Sequence, residues 1–188
     1  MNTSRLSLIT IIGILFFNCT SYDDDSYYSP IYLQLQDALI FENNQNYVVG
    51  DTIFLELNFS RYLKEEGYTE LLDIYETTGA EQFLYDIDMS KFSTLANEYR
   101  FINVDSPFLI SEKGNLFPDA NRVGATFDQN TNMYESKVGI ILAEEGEYKL
   151  DMDIIFISSD EPFDKIRLII EHNFSNEDAE RFTFSVTQ

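Results

Sequence analysis

The chain has 188 residues, enough for one domain or two small ones, and carries 33 acidic against 12 basic residues, a formal charge of −21. A surface this acidic repels nucleic acid and anionic headgroups, which argues against a DNA or RNA partner and against membrane contact through a basic face. Aromatic residues make up 15% of the chain, with 16 Phe, 12 Tyr and no Trp, a composition that favours strands and leaves ample apolar surface to bury.

The first stretch reads as an export signal. Arg5 and the amino terminus form a short positive segment, and Leu6 to Phe17 is apolar apart from Ser7, Thr10 and Gly13. That run is too short to span a bilayer, which takes roughly 20 apolar residues, but it has the length of a signal-peptide core. A buried N-terminal helix or strand is the alternative; the absence of a polar period and the acidic stretch that follows speak against it. The run ends Phe16-Phe17-Asn18-Cys19, and Cys19 is the only cysteine. A single cysteine in an exported protein raises the question of a free thiol or an intermolecular bridge. Asp23, Asp24 and Asp25 follow closely.

Cys19, directly behind the apolar run, resembles the lipobox cysteine of bacterial lipoproteins, and the aspartates behind it resemble the surface-export signal of lipoproteins of the Bacteroidetes group. Phe17 and Asn18 depart from the small residues usual before the cysteine, and looser boxes are common in that group. The resemblance implies a cleaved signal peptide over 1–18, a covalent lipid on Cys19, an acidic tether over 19–30 with Asp23, Asp24 and Asp25 as the export signal, and display on the outer membrane through that lipid. One acyl chain anchors marginally, whereas two or three hold firmly. A soluble secreted protein with a lone thiol is the competing reading.

From Ile31 the pattern alternates. Ile31, Leu33, Leu35, Leu39 and Phe41 share a strand face that breaks at Asp37, where a bulge would restore the period. Thr52 to Ser60 is the clearest early strand. Arg61 to Glu70 is charged and suits a helical turn. Leu71–Glu76 and Phe83–Met89 flank the turn-like Thr77–Glu81 and read as a hairpin. Tyr99–Val104 is a short strand, and 105–121 reads as a long loop, the first choice for a binding surface. Val123–Asp128 and Met133–Leu142 form a second hairpin. Ile166–Phe174 alternates, and Phe182, Phe184 and Val186 mark a last strand. This predicts an all-β domain over 31–188, an antiparallel sandwich of about seven to nine strands.

One word narrows the fold. Glu144-Glu145-Gly146-Glu147-Tyr148-Lys149-Leu150 resembles the tyrosine corner of immunoglobulin-like sandwiches, with Glu144 and Leu150 in the places of the usual Asp and Cys. The resemblance implies a disulfide-free immunoglobulin-like relative in which the Tyr148 hydroxyl caps nearby backbone; an ordinary glycine turn before a strand is the alternative. The word Tyr47 to Ile53 similarly resembles the start of an early core strand in bacterial immunoglobulin-like domains.

Little in the chain points to catalysis. His172 is the only histidine and shares parity with the apolar residues of its strand, so it reads as a satisfied strand-end side chain and no catalytic residue is assigned. Asp86 with Asp88, and Asp151 with Asp153, each share a strand face and could offer oxygens to Ca²⁺; solvated outer-face carboxylates are the alternative. No other cofactor is expected. Asp51-Thr52-Ile53 resembles a Bacteroidetes O-glycosylation word with Thr52 as acceptor. Tyr27, Tyr28, Tyr32, Tyr62, Tyr68, Tyr75 and Tyr134 are candidate sugar-stacking platforms. The expectation is therefore a non-catalytic surface lipoprotein, a binding or structural module for an unidentified protein or glycan. The alternatives are a glycan-binding accessory of a nutrient-uptake system and, behind it, a carboxylate-dependent hydrolase.

Overall fold

The computed structural model describes residues 30–41, 44, 46–103, 108–117, 121–151, 155–159, 162, 165–175 and 182–188. The signal, Cys19, Asp23, Asp24, Asp25, Asp153, Tyr27 and Tyr28 lie outside the described residues. Alternating burial builds the first strands: β1 (Ile31–Gln36), β2 (Leu39–Phe41), β3 (Asn46–Val48) and β4 (Thr52–Ser60). In β4 the fit to the sequence pattern is complete, with Ile53, Leu55, Leu57 and Phe59 inside and the residues between them half-buried. Short strands β5 (Tyr62–Lys64) and β6 (Leu71–Asp73) pair only with each other.

The one described helix, α1 (Ile74–Thr78), follows at once. It forms where a strand and a turn were expected. The reason is local: the Asp73 carboxylate accepts the Glu76 N–H at 3.0 Å, and Gly79, at φ 64°, ends the helix by donating to Tyr75 O. The expected hairpin across 77–81 is therefore absent, because β6 pairs with β5. The charged stretch 61–70, expected to hold a helical turn, instead contains β5.

The remaining strands are β7 (Gln82–Asp86), β8 (Asp88–Ser93), β9 (Glu98–Ile102), β10 (Leu109–Lys113), β11 (Asn115–Phe117), β12 (Arg122–Asp128), β13 (Met133–Ile141), β14 (Gly146–Asp151), β15 (Ile155–Ser159), β16 (Leu168–Asn173) and β17 (Thr183–Thr187). They form two main sheets. The larger runs β1-β16-β15-β7-β12-β13-β4-β2, and the smaller runs β3-β17-β14-β8-β9. The described strands outnumber the expected seven to nine partly because the expected Phe83–Met89 strand serves both sheets in turn, and partly because the expected helical turn and long loop hold short strands of their own. β7 and β8 flank Ile87, whose N–H goes to Asn121 O; β7 pairs in the larger sheet and β8 in the smaller.

The fold is all-β with mixed sheets, and uniform antiparallel pairing does not hold. β1 runs parallel to β16, and β3 runs parallel to β17. Both parallel pairs arise because the first segment lies beside the last one and tracks it through both sheets. β2, between them in the chain, runs on in the sense of β1 and pairs antiparallel with β4 at the opposite edge of the larger sheet. The two ends of the larger sheet, β1 and β2, are thus separated by only Asp37 and Ala38, and the sheet curls until they meet. Asp37, at φ 53°, makes the crossing: its N–H goes to Asn173 O, and Ala38 O accepts the Asn58 N–H. A change of sheet edge, rather than a bulge, breaks the period at Asp37.

The expected long loop 105–121 is partly sheet. β12 and β13 pair directly only from Thr126–Glu135 to Asp128–Met133. Beyond that they splay, and the segment of β10 and β11 wedges between them, β10 on β13 and β11 on β12. Its turn is Gly114, at φ 80°, where an added Cβ would lie 2.5 Å from Gly124 O. Only glycine suits both the positive φ and that close approach.

The two sheets close over one core. Phe59 stacks with Tyr134 (5.2 Å between ring centres) and with Phe156 (5.8 Å), while Phe83 meets it edge-on (5.5 Å). Each side chain buried to this degree contributes roughly 1.5–3 kcal/mol of transfer free energy. The buried hydroxyls are matched: Tyr85 bonds Ser136 at 2.8 Å and Tyr134 donates to Ala80 O at 2.8 Å. Burial raises the pKa of both phenols, so both stay neutral.

Candidate functional site

One polar arrangement that borders a cavity lies where β14 begins. Gly146, at φ 149°, turns the chain into the strand, and the Tyr148 hydroxyl donates to Glu144 O at 2.9 Å. This is the contact expected of a tyrosine corner. The Tyr148 ring stacks on Phe184 of β17 at 5.5 Å. Lys91, from β8, brings its ammonium 2.7 Å from Glu144 Oε2 and 5.4 Å from the centre of the Tyr148 ring. Burial pulls the Lys91 pKa down, but hydrogen bonds with Glu144 and Tyr148 outweigh it and the net shift is upward; the Lys91 ammonium holds the Glu144 carboxyl low.

Beside this corner a cleft of about 250 Å³ opens, lined by Met89, Ile102, Phe108, Leu142 and Tyr148, with Lys91 and Glu144 also on its wall. An apolar floor with one cation and one carboxylate suits a small amphiphilic group. Phe108 belongs to the segment 105–121 first expected to bind, within which β10 and β11 pair in the sheet. Sequence alone marked Tyr148 and Glu144, which lie four residues apart. It missed Lys91, because pairing between β8 and β14 is what sets Lys91 opposite Tyr148.

The carboxylates proposed for Ca²⁺ are divided. Asp86 accepts two hydrogen bonds from the Arg122 guanidinium, at 2.7 and 3.2 Å. Asp88 stands in register opposite Asp151, a pairing the sequence spacing did not suggest. Among the described residues no three His, Cys, Asp or Glu side chains converge as a metal site would require. Thr52, the O-glycosylation candidate, is half-buried at the start of β4, opposite Ile141, and Asp51 beside it accepts the Val48 N–H at 2.9 Å.

The tyrosines sort by exposure. Tyr134 is fully buried and cannot act as a platform. Tyr62 and Tyr75 share the Arg61 guanidinium, which sits 5.3 Å from each ring centre while its nitrogens bind Asp73 at 2.7 and 2.6 Å. Tyr75 also stacks on Phe127 at 4.5 Å. Among the described members of this set Tyr32 and Tyr68 are the most exposed, at 63% and 64%.

His172 is buried, as its strand parity suggested, and does more than end a strand. Its Nε2 accepts the N–H groups of Ala38 and Leu39, at 3.1 and 3.2 Å, on the crossing from β1 to β2. Among the described residues no helix is long and apolar enough to cross a membrane. No known family matches the sequence, and comparison with characterised proteins finds no significant relative.

Proposed function

We propose that the protein is a bacterial surface lipoprotein held in the outer membrane by lipid on Cys19, with an immunoglobulin-like sandwich that serves as a non-catalytic binding or structural module. The observation that carries the anchor is the order of the first segment: Arg5, the apolar run to Phe17, the sole cysteine at 19, then Asp23, Asp24 and Asp25. The immunoglobulin-like assignment draws support from the Tyr148–Glu144 bond. A binding role draws support from the cleft beside the corner.

The anchor is tested by Cys19→Ala followed by fractionation and protease shaving of whole cells. The unsubstituted protein is expected in the membrane fraction and open to external protease, and the variant is expected to be released. Retention of Cys19→Ala in the membrane would remove the lipoprotein reading.

A further inference from the structure

His172 sits where the larger sheet closes on itself. Its ring is 5% exposed, and its Nε2 accepts two backbone N–H groups from the crossing between β1 and β2. Accepting at Nε2 assigns the proton to Nδ1, which is buried and has no hydrogen-bond partner among the described residues. A neutral imidazole is therefore required, and a second proton would place an N–H donor against two N–H donors. The crossing is also held by Asp37 N to Asn173 O, by Asn58 N to Ala38 O and by the Asp37 carboxylate accepting from Ser175 N and Oγ, and it is flanked by the ladders of β1 on β16 and β2 on β4.

We propose that His172 is an acid-sensitive latch: protonation of Nε2 opens the seam between β1 and β2 and frees the N-terminal strand while the rest of the sandwich stays folded. The groups around the ring leave it no compensating partner. Leu35 lies opposite it on β1, Phe156 of β15 is 5.7 Å away and Phe174 is 4.5 Å away. From β4 the Asn58 N–H donates to Ala38 O on the crossing, and the Asn58 side chain carries no charge. Asp37, on the crossing itself, is the one charged group among the described residues whose field reaches the ring. Its pull is upward, but burial is the larger effect and lowers the imidazole pKa to about 4.

The sign follows from linkage. A freed strand returns the imidazole to its ordinary value near 6.5, so the open state binds a proton at a higher pH than the closed one. The latch is at full strength above about pH 6.5 and weakens as pH falls from there to about 4. At pH 4.5 the open fraction should exceed that at neutral pH by up to about sixtyfold. On the tethered reading, which this consequence alone rests on, freeing β1 would add roughly 20 Å to the reach of the tether.

The test is amide hydrogen exchange by NMR on the full chain, at pH 7 and 4.5, for the native protein and for His172→Gln. The Gln side chain offers an oxygen to the same two amides and does not titrate. Ala38 and Leu39 should lose protection at pH 4.5 in the native protein while Leu55 and Val138 keep theirs, and His172→Gln should show no selective loss. Uniform loss across the core, or unchanged protection at Ala38 and Leu39, would overturn the proposal. If His172→Gln does not fold, the imidazole titration of the native protein decides. Its midpoint must coincide with the loss of protection at Ala38 and Leu39, and separate midpoints would refute the latch whether or not Cys19 carries lipid.

Discussion

Tyr148 and His172 both fasten a place where the chain changes direction, and they do so under opposite conditions. The Tyr148 corner is local. Its hydroxyl reaches Glu144 O, four residues back, in partly open surroundings where water can replace a lost donor. The histidine seam is remote, joining His172 to amides 134 and 133 residues earlier, in a buried setting where nothing replaces a lost acceptor. A polar contact matters most where its loss leaves a partner stranded away from water. On that ground the seam should dominate stability and the corner should be dispensable.

The largest effect is expected from the apolar support under the seam. Phe156 is fully buried and touches Phe59, Tyr85 and His172 through its ring. Phe156→Ala should cost about 3–5 kcal/mol in urea unfolding, by lost transfer energy and the cavity left behind. A cost below about 1 kcal/mol would mean that the seam and the core are not mechanically joined. Next comes His172→Ala, which strands the Ala38 and Leu39 N–H groups. The expected loss at pH 7 is about 2–4 kcal/mol, and a near-neutral result would show that the amides find another acceptor. The smallest effect belongs to Tyr148→Phe, which removes one hydroxyl and leaves the Phe184 stack in place. It should cost about 1 kcal/mol. If it cost more than His172→Ala, the ranking of the two regions would be reversed.

The two regions also differ in how far sequence could foresee them. Gly146 and Tyr148 stand close together in the chain, so the corner was readable as a word. The seam depends on β1 meeting β16 and β2 meeting β4, and no spacing within Ile31–Phe41 announces that. What was visible there was a broken period at Asp37, whose cause lies in a partner more than 130 residues away. The helix at Ile74–Thr78 was readable in principle from Asp73 as its cap and Gly79 as its end, but the apolar run Leu71-Leu72 drew the stretch toward a strand. The wedge of β10 and β11 was hidden because Pro107, Gly114 and Pro118 signal a loop locally, while the gap it fills exists only once β12 and β13 splay.

Sequence alone determined the all-β class, the inward faces of β4, β7 and β17, the strong negative charge and the position of the lone cysteine. These follow from alternation and composition, which are properties of neighbours in the chain. Tertiary structure decided the parallel partners of β1 and β3, the division of Asp86 and Asp88 between Arg122 and the strand opposite, the approach of Lys91 to Tyr148 and the setting of His172. Each of those depends on which strands lie side by side, and side-by-side placement is settled by burying one shared core rather than by any local preference.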